Sequence, residues 1–356
     1  MSRTTLLPEF SRQTWIRIAI GAVAVLAILT LPLWLANEYW VLVAADICIF
    51  AIFGMSYNVL LGQMGLFSLG QALFFGFASY TVANLTKLGV DIVTAILLAI
   101  AMTAAVGFVL GLMTSHIRGI FFGIVTLAIA QAAFTAAGTD ILGLTGGENG
   151  LRVTGLPDAL NVNFGSTGFY MLTAVLMLVV LGIMTVLKRA PIGSLWAGIR
   201  DNRVRAQSLG VNIAGQKLVA LTVSGAIAGL AGALNAVLLQ IASPEQLGLH
   251  IQVQVLLIVI IGGPGTLLGP ILGAFLVRLS GPMLDQLDRQ AWVHELPTYL
   301  ERAVTSHDLV LGIVYILLVL FVPGGLISLV RRRRSRVKPV AGLDEPAVPA
   351  PSGART

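Results

Sequence analysis

Gly62-Gln63-Met64-Gly65-Leu66-Phe67-Ser68-Leu69-Gly70-Gln71 joins two long apolar runs, Tyr39 to Leu61 before it and Ser68 to Leu85, which begins within it. A membrane-crossing helix needs about 20 predominantly apolar residues, and both runs are close to that length. Glycines 62, 65 and 70 interrupt the pattern between them. A helix interrupted in hydrocarbon strands backbone amide groups, each at a cost of several kcal/mol. The break must therefore be buried in protein or line a water-filled cavity. With side chains of intermediate polarity beside the glycines, two readings stand. Gln63, Gly65, Ser68, Gly70 and Gln71 form part of a substrate path, or the glycines pack a helix turn, which residue type alone slightly favours.

The composition sets the solvent. Hydrophobic residues make up 57% of the chain, charged residues 11%, and the mean hydropathy is +0.91. Soluble domains carry about 25% charged residues, so this chain has too little polar surface to cover itself in water. Its 39 glycines against 7% aromatics suit closely packed transmembrane helices. The fold class expected is all-α integral membrane, a polytopic bundle of about ten segments with interrupted helices. The segments run from Ile16 to Leu35, Tyr39 to Leu61, Ser68 to Leu85, Ile92 to Met113 and Ile120 to Ala137, then from Tyr170 to Leu187, Leu218 to Leu239, Val253 to Gly263, Leu267 to Leu279 and Leu309 to Val330. The third is Gly-interrupted and reads either as a crossing or as re-entrant. The N-terminus, with Arg3, Arg12 and Arg17 before the first run, resembles a signal peptide, but the run is long enough to span and reads as an uncleaved first helix.

Orientation follows from the basic residues, which concentrate on the cytoplasmic side. The segment 188–217 carries Lys188, Arg189, Arg200, Arg203, Arg205 and Lys217 against the single acid Asp201, and the tail carries Arg331 to Arg334, Arg336 and Lys338. An even number of crossings precedes each, so with a cytoplasmic N-terminus both basic segments fall on one face. The domain reading is a cytoplasmic N-terminus at 1–15, a membrane domain at 16–330 and a basic, then disordered, cytoplasmic tail at 331–356. Leu284 to Ser306 reads as an amphipathic interfacial helix or a plain loop. The net charge of +6 does not indicate nucleic acid, because the basic residues flank apolar spans.

A second glycine run, Gly262-Gly263-Pro264-Gly265-Thr266-Leu267-Leu268-Gly269-Pro270, lacks the Gly-Lys-Ser/Thr ending of a phosphate loop. It loosely echoes Gly62 to Gly70, as an internal repeat with interrupted helices would. The polar loop Thr145 to Leu151 reads as a receiving surface at the outer mouth or as a plain structured loop. Within 188–217, Leu195 to Leu209 reads as one helix-like stretch with Gly210 as its C-cap. It would contact anionic lipid or dock into a partner's groove. Asp46 lies within the second span, where a charge is costly, and reads equally as functional or as a hydrogen-bonded structural group. The single cysteine, Cys48, reads as a small buried hydrophobe. The scattered histidines lack zinc spacing, and no catalytic, cofactor or metal constellation is expected. Scarce acids within the spans argue against the alternative of a stand-alone secondary transporter, which needs coupling-ion groups.

Four stretches, taken together, resemble the LivM-type permeases of branched-chain amino-acid ABC transporters. They are Tyr57 to Gly76 continuing to Tyr80, Gly119 to Gln131 with Leu144 to Leu151, Ile199 to Asn212 ending in Ala226 to Ala233, and Ile261 to Pro270. The resemblance implies a membrane subunit of the bacterial inner membrane, pairing with a second, LivH-type permease, driven by two cytoplasmic ATP-binding subunits and supplied by a periplasmic solute-binding protein. It also implies that the coupling loop to an ATPase contains Arg200, Asp201, Asn202, Arg203, Arg205, Ala206 and Gly210. Ala206 and Gly210 fit the family's Glu-Ala-Ala-like motif with its downstream glycine, whereas Arg203, Val204 and Arg205 stand where its acid is expected. The family also serves urea, short amides and other small acids, and the motifs do not separate these substrates.

Overall fold

The computed structural model describes residues 30–32, 37–141, 143–157 and 166–288 and positions 312, 325 and 326. Helix α1 is Glu38–Asn58 and runs on into a π-helical turn, Val59–Met64. The helices that follow are α2 (Gln71–Lys87), α3 (Ile92–Thr114), α4 (Ile120–Gly138), α5 (Ser166–Arg189), α6 (Pro191–Asp201), α7 (Arg203–Ser208), α8 (Ile213–Leu239), α9 (Leu249–Gly262) and α10 (Gly269–Asp288). Five helices among the described residues are long and apolar enough to cross a membrane: Glu38–Met64, α3, α4, Thr167–Arg189 and α8. They match five of the expected spans. The chain is an all-α, multi-pass membrane protein.

The remaining expected spans fare differently. The segment from Ser68 is helical only from Gln71, and α2 is 17 residues long. The segments at 253–263 and 267–279 are the shorter apolar helices α9 and α10. The expected first span lies outside the described residues except for 30–32. So do the expected last span, except for 312, 325 and 326, the tail, and most of Leu284 to Ser306.

Local chemistry sets the helix starts. Asn37, Asp91 and Asn212 cap α1, α3 and α8, their side chains accepting from the N–H groups of Tyr39, Val93 and Gly215. Pro191 opens α6, where its missing N–H costs nothing. The stretch read as one helix from Leu195 to Leu209 is in fact two, α6 and α7. Asn202 is extended (φ −154°), and its side chain caps α7 through the Arg205 N–H at 2.9 Å. Gly210, at φ 82°, closes α7 as expected: its N–H donates to Gln207 O and that of Val211 to Ala206 O. This is a Schellman closure, and the left-handed position suits glycine.

Hydrophobicity does not separate the inner from the outer face of these helices; side-chain size does. On α3 the buried positions are mostly small, Ala95, Ala99, Thr103, Gly107 and Gly111, and the exposed ones are Leu97, Met102, Phe108, Val109, Leu112 and Met113. The small face packs along α8. A Cβ on Gly107 would stand 2.6 Å from Leu221 O, and one on Gly225 would stand 2.8 Å from Thr103 O. Lipid tails solvate the large outward side chains, so association rests on this backbone-close packing. Helix α1 is the axis of the bundle, buried without a gap from Cys48 to Asn58 and packed against α5, α8, α9 and α10. Cys48 is free and buried, as expected.

Helix α8 begins five residues before its expected start and takes in Lys217, expected in the cytoplasmic loop. Lys217 is buried. Its Nζ donates to Thr114 O (2.6 Å) and Ile117 O (3.1 Å) and sits 3.8 Å over the Phe122 ring. Thr114 is the last residue of α3, and a cation on its carbonyl interacts favourably with that helix's dipole. Farther along, the two-residue strands Leu151–Arg152 (β1) and Ile241–Ala242 (β2) pair antiparallel, Leu151 opposite Ala242. They tie the Thr145 to Leu151 loop to the end of α8. Thr145 also holds that loop to Asp140, whose carboxylate accepts from its N–H at 2.8 Å.

Gly107→Leu should force α3 from α8. The expected loss is about 1–3 kcal/mol, typical of overpacking, seen as a lower melting temperature of the detergent-solubilised protein. Leu112→Ala, on the lipid face of the same helix, should leave the melting temperature nearly unchanged.

Candidate functional site

Two helix breaks meet in the fold. The first follows the π-turn, where Gly65 adopts φ 71° and the Leu66 N–H returns to Leu60 O at 2.8 Å. The chain then crosses Phe67 to Gly70 without helix before α2 starts. Its polar groups are satisfied partly within the break and partly from other helices. The Leu69 N–H donates to Thr126 Oγ1 (3.0 Å) and that of Gly70 to Ser68 Oγ (3.3 Å). The first two N–H groups of α2, Gln71 and Ala72, both donate to Gln252 Oε1, at 2.6 and 3.1 Å. Gln252 Nε2 faces Ser68 O at 3.4 Å. A side chain of α9 therefore caps α2, which has no capping side chain of its own.

Gln71 itself points into the core. Its Nε2 donates to Ser56 Oγ (2.9 Å) and Ser224 Oγ (2.8 Å). Those hydroxyls give their protons to Phe53 O and Ser56 O, so both can only accept from the amide. Gln71 Oε1 is buried and has no partner among the described residues, and the same holds for Gln63 Oε1.

The second break, Gly263 to Leu268, separates α9 from α10. Gly263 and Gly265 have φ of 107° and 77°. Asn58, at the end of α1, bridges to it: Oδ1 accepts from the Gly265 N–H and Nδ2 donates to Thr266 O, each at 2.8 Å. Thr266 closes the turn through Gly263 O and the Gly269 N–H. The two glycine stretches that echo each other in sequence are thus neighbours in space.

Arg200, at the end of α6, reaches both breaks. Its Nη1 donates to Gly62 O at 2.5 Å. A Cβ on Gly65 would stand 2.7 Å from Arg200 Cγ, and one on Gly265 would stand 2.8 Å from Arg200 Nη1. Lys188 Nζ donates to Gly265 O at 2.6 Å. Two cations of the basic segment thus hold carbonyls that the breaks leave open.

The expected residues fall into two groups. Gln63, Ser68, Gly70 and Gln71 are buried, whereas Gly65, which lies against Arg200, and Phe67 are exposed, so the break is buried on either side of an open stretch at Gly65 to Phe67. Of the expected coupling residues, Arg200, Asp201, Asn202, Arg205 and Gly210 are exposed, Arg203 is half-buried and Ala206 is buried. Arg203 lines a 270 Å³ pocket with Arg118, and burial, then that neighbouring charge, holds its pKa below the ordinary arginine value. Asp46 has a partner that the sequence reading passed over. Arg278 of α10 donates to it through Nε at 2.5 Å. A basic residue in the ninth apolar run was the available signal. Gln252, Asn58 and Ser224 were also missed as partners, because nothing local distinguishes a glutamine that caps a distant helix from one facing lipid.

The model of the branched-chain amino acid transport system / permease component family matches residues 39–322. The chain belongs to that family. Its relatives include the high-affinity branched-chain amino acid transport system permease protein LivM of Escherichia coli (strain K12), 28% identical over 92% of this chain and 78% of the relative. LivM of Salmonella typhimurium is also 28% identical, over 81% and 70%. The autoinducer 2 import system permease protein LsrC of Photorhabdus laumondii is 30% identical over 53% of this permease and 60% of its own length. No solved structure matches the permease. The resemblance read from the four sequence stretches is that of a LivM-type permease, a transport component rather than an enzyme.

Gln252→Leu should leave the first α2 amides and Ser68 O unpaired, a cost of about 1–3 kcal/mol for each group stranded. The melting temperature in detergent should fall clearly. Gln254→Leu, two residues along the same helix, serves as the comparison and should fall less.

Proposed function

We propose that the permease is the membrane subunit of an ATP-driven importer of the inner membrane for branched-chain amino acids or related small polar solutes. It forms half of the translocation path, with about ten crossings counting those outside the described residues, and both termini are cytoplasmic. A LivH-type permease supplies the other half. Two cytoplasmic ATP-binding subunits drive transport, and a periplasmic solute-binding protein delivers substrate. The internal repeat pairs the break at 62–70 with that at 262–270.

The observation carrying this reading is the reach of Arg200. It sits on a basic, solvent-facing segment and donates to one break while lying against the other. Movement of α6 and α7 by a docked ATPase would act directly on Gly62 and Gly265. Beside it, Val204 and Leu209 are 75% and 78% exposed, an apolar face on a segment rich in charge. Exposed apolar groups rimmed by polar ones suit a docking surface. The membrane domain at 16–330, the coupling segment at 188–217 and the path residues Gln63, Gly65, Ser68, Gly70 and Gln71 belong to this proposal.

Deleting Arg200 to Gly210 should abolish ATP-driven uptake of labelled leucine while membrane insertion persists. Uptake at the normal rate would refute the coupling assignment. Gly65→Leu, which combines a strained backbone with a collision against Arg200, should reduce uptake, and Gly70→Leu, facing Thr126 O at 2.7 Å, should do the same. Uptake unchanged by either would place the break outside any closely packed path.

A further inference from the structure

The Asp46–Arg278 pair lies on a pocket of about 540 Å³, separate from the helix breaks. Asp46 is eight residues into α1, roughly 12 Å along the helix at its standard rise. A charge at such depth marks function by default, and an ion pair sealed from water would add little stability over apolar packing. This pair is not sealed: the side chains of Arg278 and Asp46 are 27% and 15% exposed. The guanidinium lies 4.0 Å over the Phe50 ring and uses Nε on Asp46 and Nη1 on Gln254 Oε1 at 3.1 Å. Its Nη2 has no partner among the described residues.

Acceptors stand on the same pocket. Glu245 is exposed there. Gln246 is held by its Nε2 to Asn235 Oδ1 and Ile241 O, each at 3.1 Å, and its Oε1 is buried with no donor among the described residues. Phe50, Phe134, Leu249 and Ile251 supply apolar wall. The volume is within the roughly 300–1,000 Å³ of small-molecule sites, and a few convergent polar groups on an apolar wall fit such a site.

We infer that this pocket binds a small zwitterion with an apolar side chain, an α-amino acid. Its carboxylate lies on Arg278 Nη2, its ammonium group faces Glu245 and Gln246, and its side chain lies against the Phe50, Phe134 and Ile251 wall. Asp46 is a positioning residue that holds the guanidinium in place. The inference deepens the proposed transport of amino acids and rests on it for the choice of leucine as probe.

The test uses the full chain in membranes open to both faces. In a Cys48→Ala background, His250→Cys places one reactive thiol on the exposed pocket rim. Leucine at about ten times its Kd should slow maleimide labelling about ten-fold by mass action. Leucine methyl ester, lacking the carboxylate, should protect far less, and this comparison needs no further mutation. Arg278→Gln should abolish protection. Because that change strands Asp46, the double variant Asp46→Asn/Arg278→Gln and the exposed Glu245→Gln are tested beside it, and each should lose protection. Equal protection by leucine and its ester, or none by either, overturns the site. Uptake of labelled leucine by intact cells carrying the unmutated chain separates the two readings. Uptake without protection discards the pocket alone, and neither uptake nor protection discards the amino-acid reading as well.

Discussion

A backbone amide in hydrocarbon has no water to turn to, and the architecture of this permease follows from how it meets that constraint where its helices stop. At the first break the open groups are met by Thr126, Ser68 and Gln252. At the second they are met by Asn58 and Lys188. Each partner but Ser68 comes from a different helix. The hydrogen bonds that make the breaks tolerable are therefore the same ones that fix α1, α2, α4, α5 and α9 relative to one another. Apolar packing could hardly supply that specificity, because lipid tails compete for every leucine on equal terms.

The pairing of the breaks also explains their glycine content. Asn58 can bridge to Gly265 and Thr266 only if the two backbones come close, and a side chain at Gly62 would meet both Asn58 Oδ1 and Gly265 N. Arg200 adds a third party at the same point. Its guanidinium carries several donors in a fixed plane, so it can hold a carbonyl without having to be desolvated completely.

Much of the fold was legible in sequence. Long apolar runs located five helices well enough, since in lipid a span reads as a simple run of hydrophobicity. Boundaries moved where a polar residue turned out to belong to the bundle. Lys217 reads as the end of the basic segment, just before the apolar run from Leu218, yet it sits buried on the carbonyls of Thr114, which ends α3, and Ile117 beyond it. The glycine stretches announced breaks, but their meeting in space could not be read, because Asn58 and Thr266 are more than two hundred residues apart. Arg278 was legible as a charge in an apolar run and was overlooked, which left Asp46 without its partner. Which of Lys188, Arg200, Arg203 and Arg205 would face inward was not readable, since the basic segment that runs from the end of α5 through α6 and α7 carries no pattern that distinguishes a cation on a carbonyl from one in solvent.

The remote capping of α2 bears on how the protein is made. Helices enter a bilayer in the order of their synthesis, and Gln252 emerges about 180 residues after the amides it serves. Until then the start of α2 has no acceptor, and the end of α3 waits similarly for Lys217. The start of α2 and the end of α3 are thus completed only by α9 and α8, so a chain truncated before them would leave both helix ends without these partners.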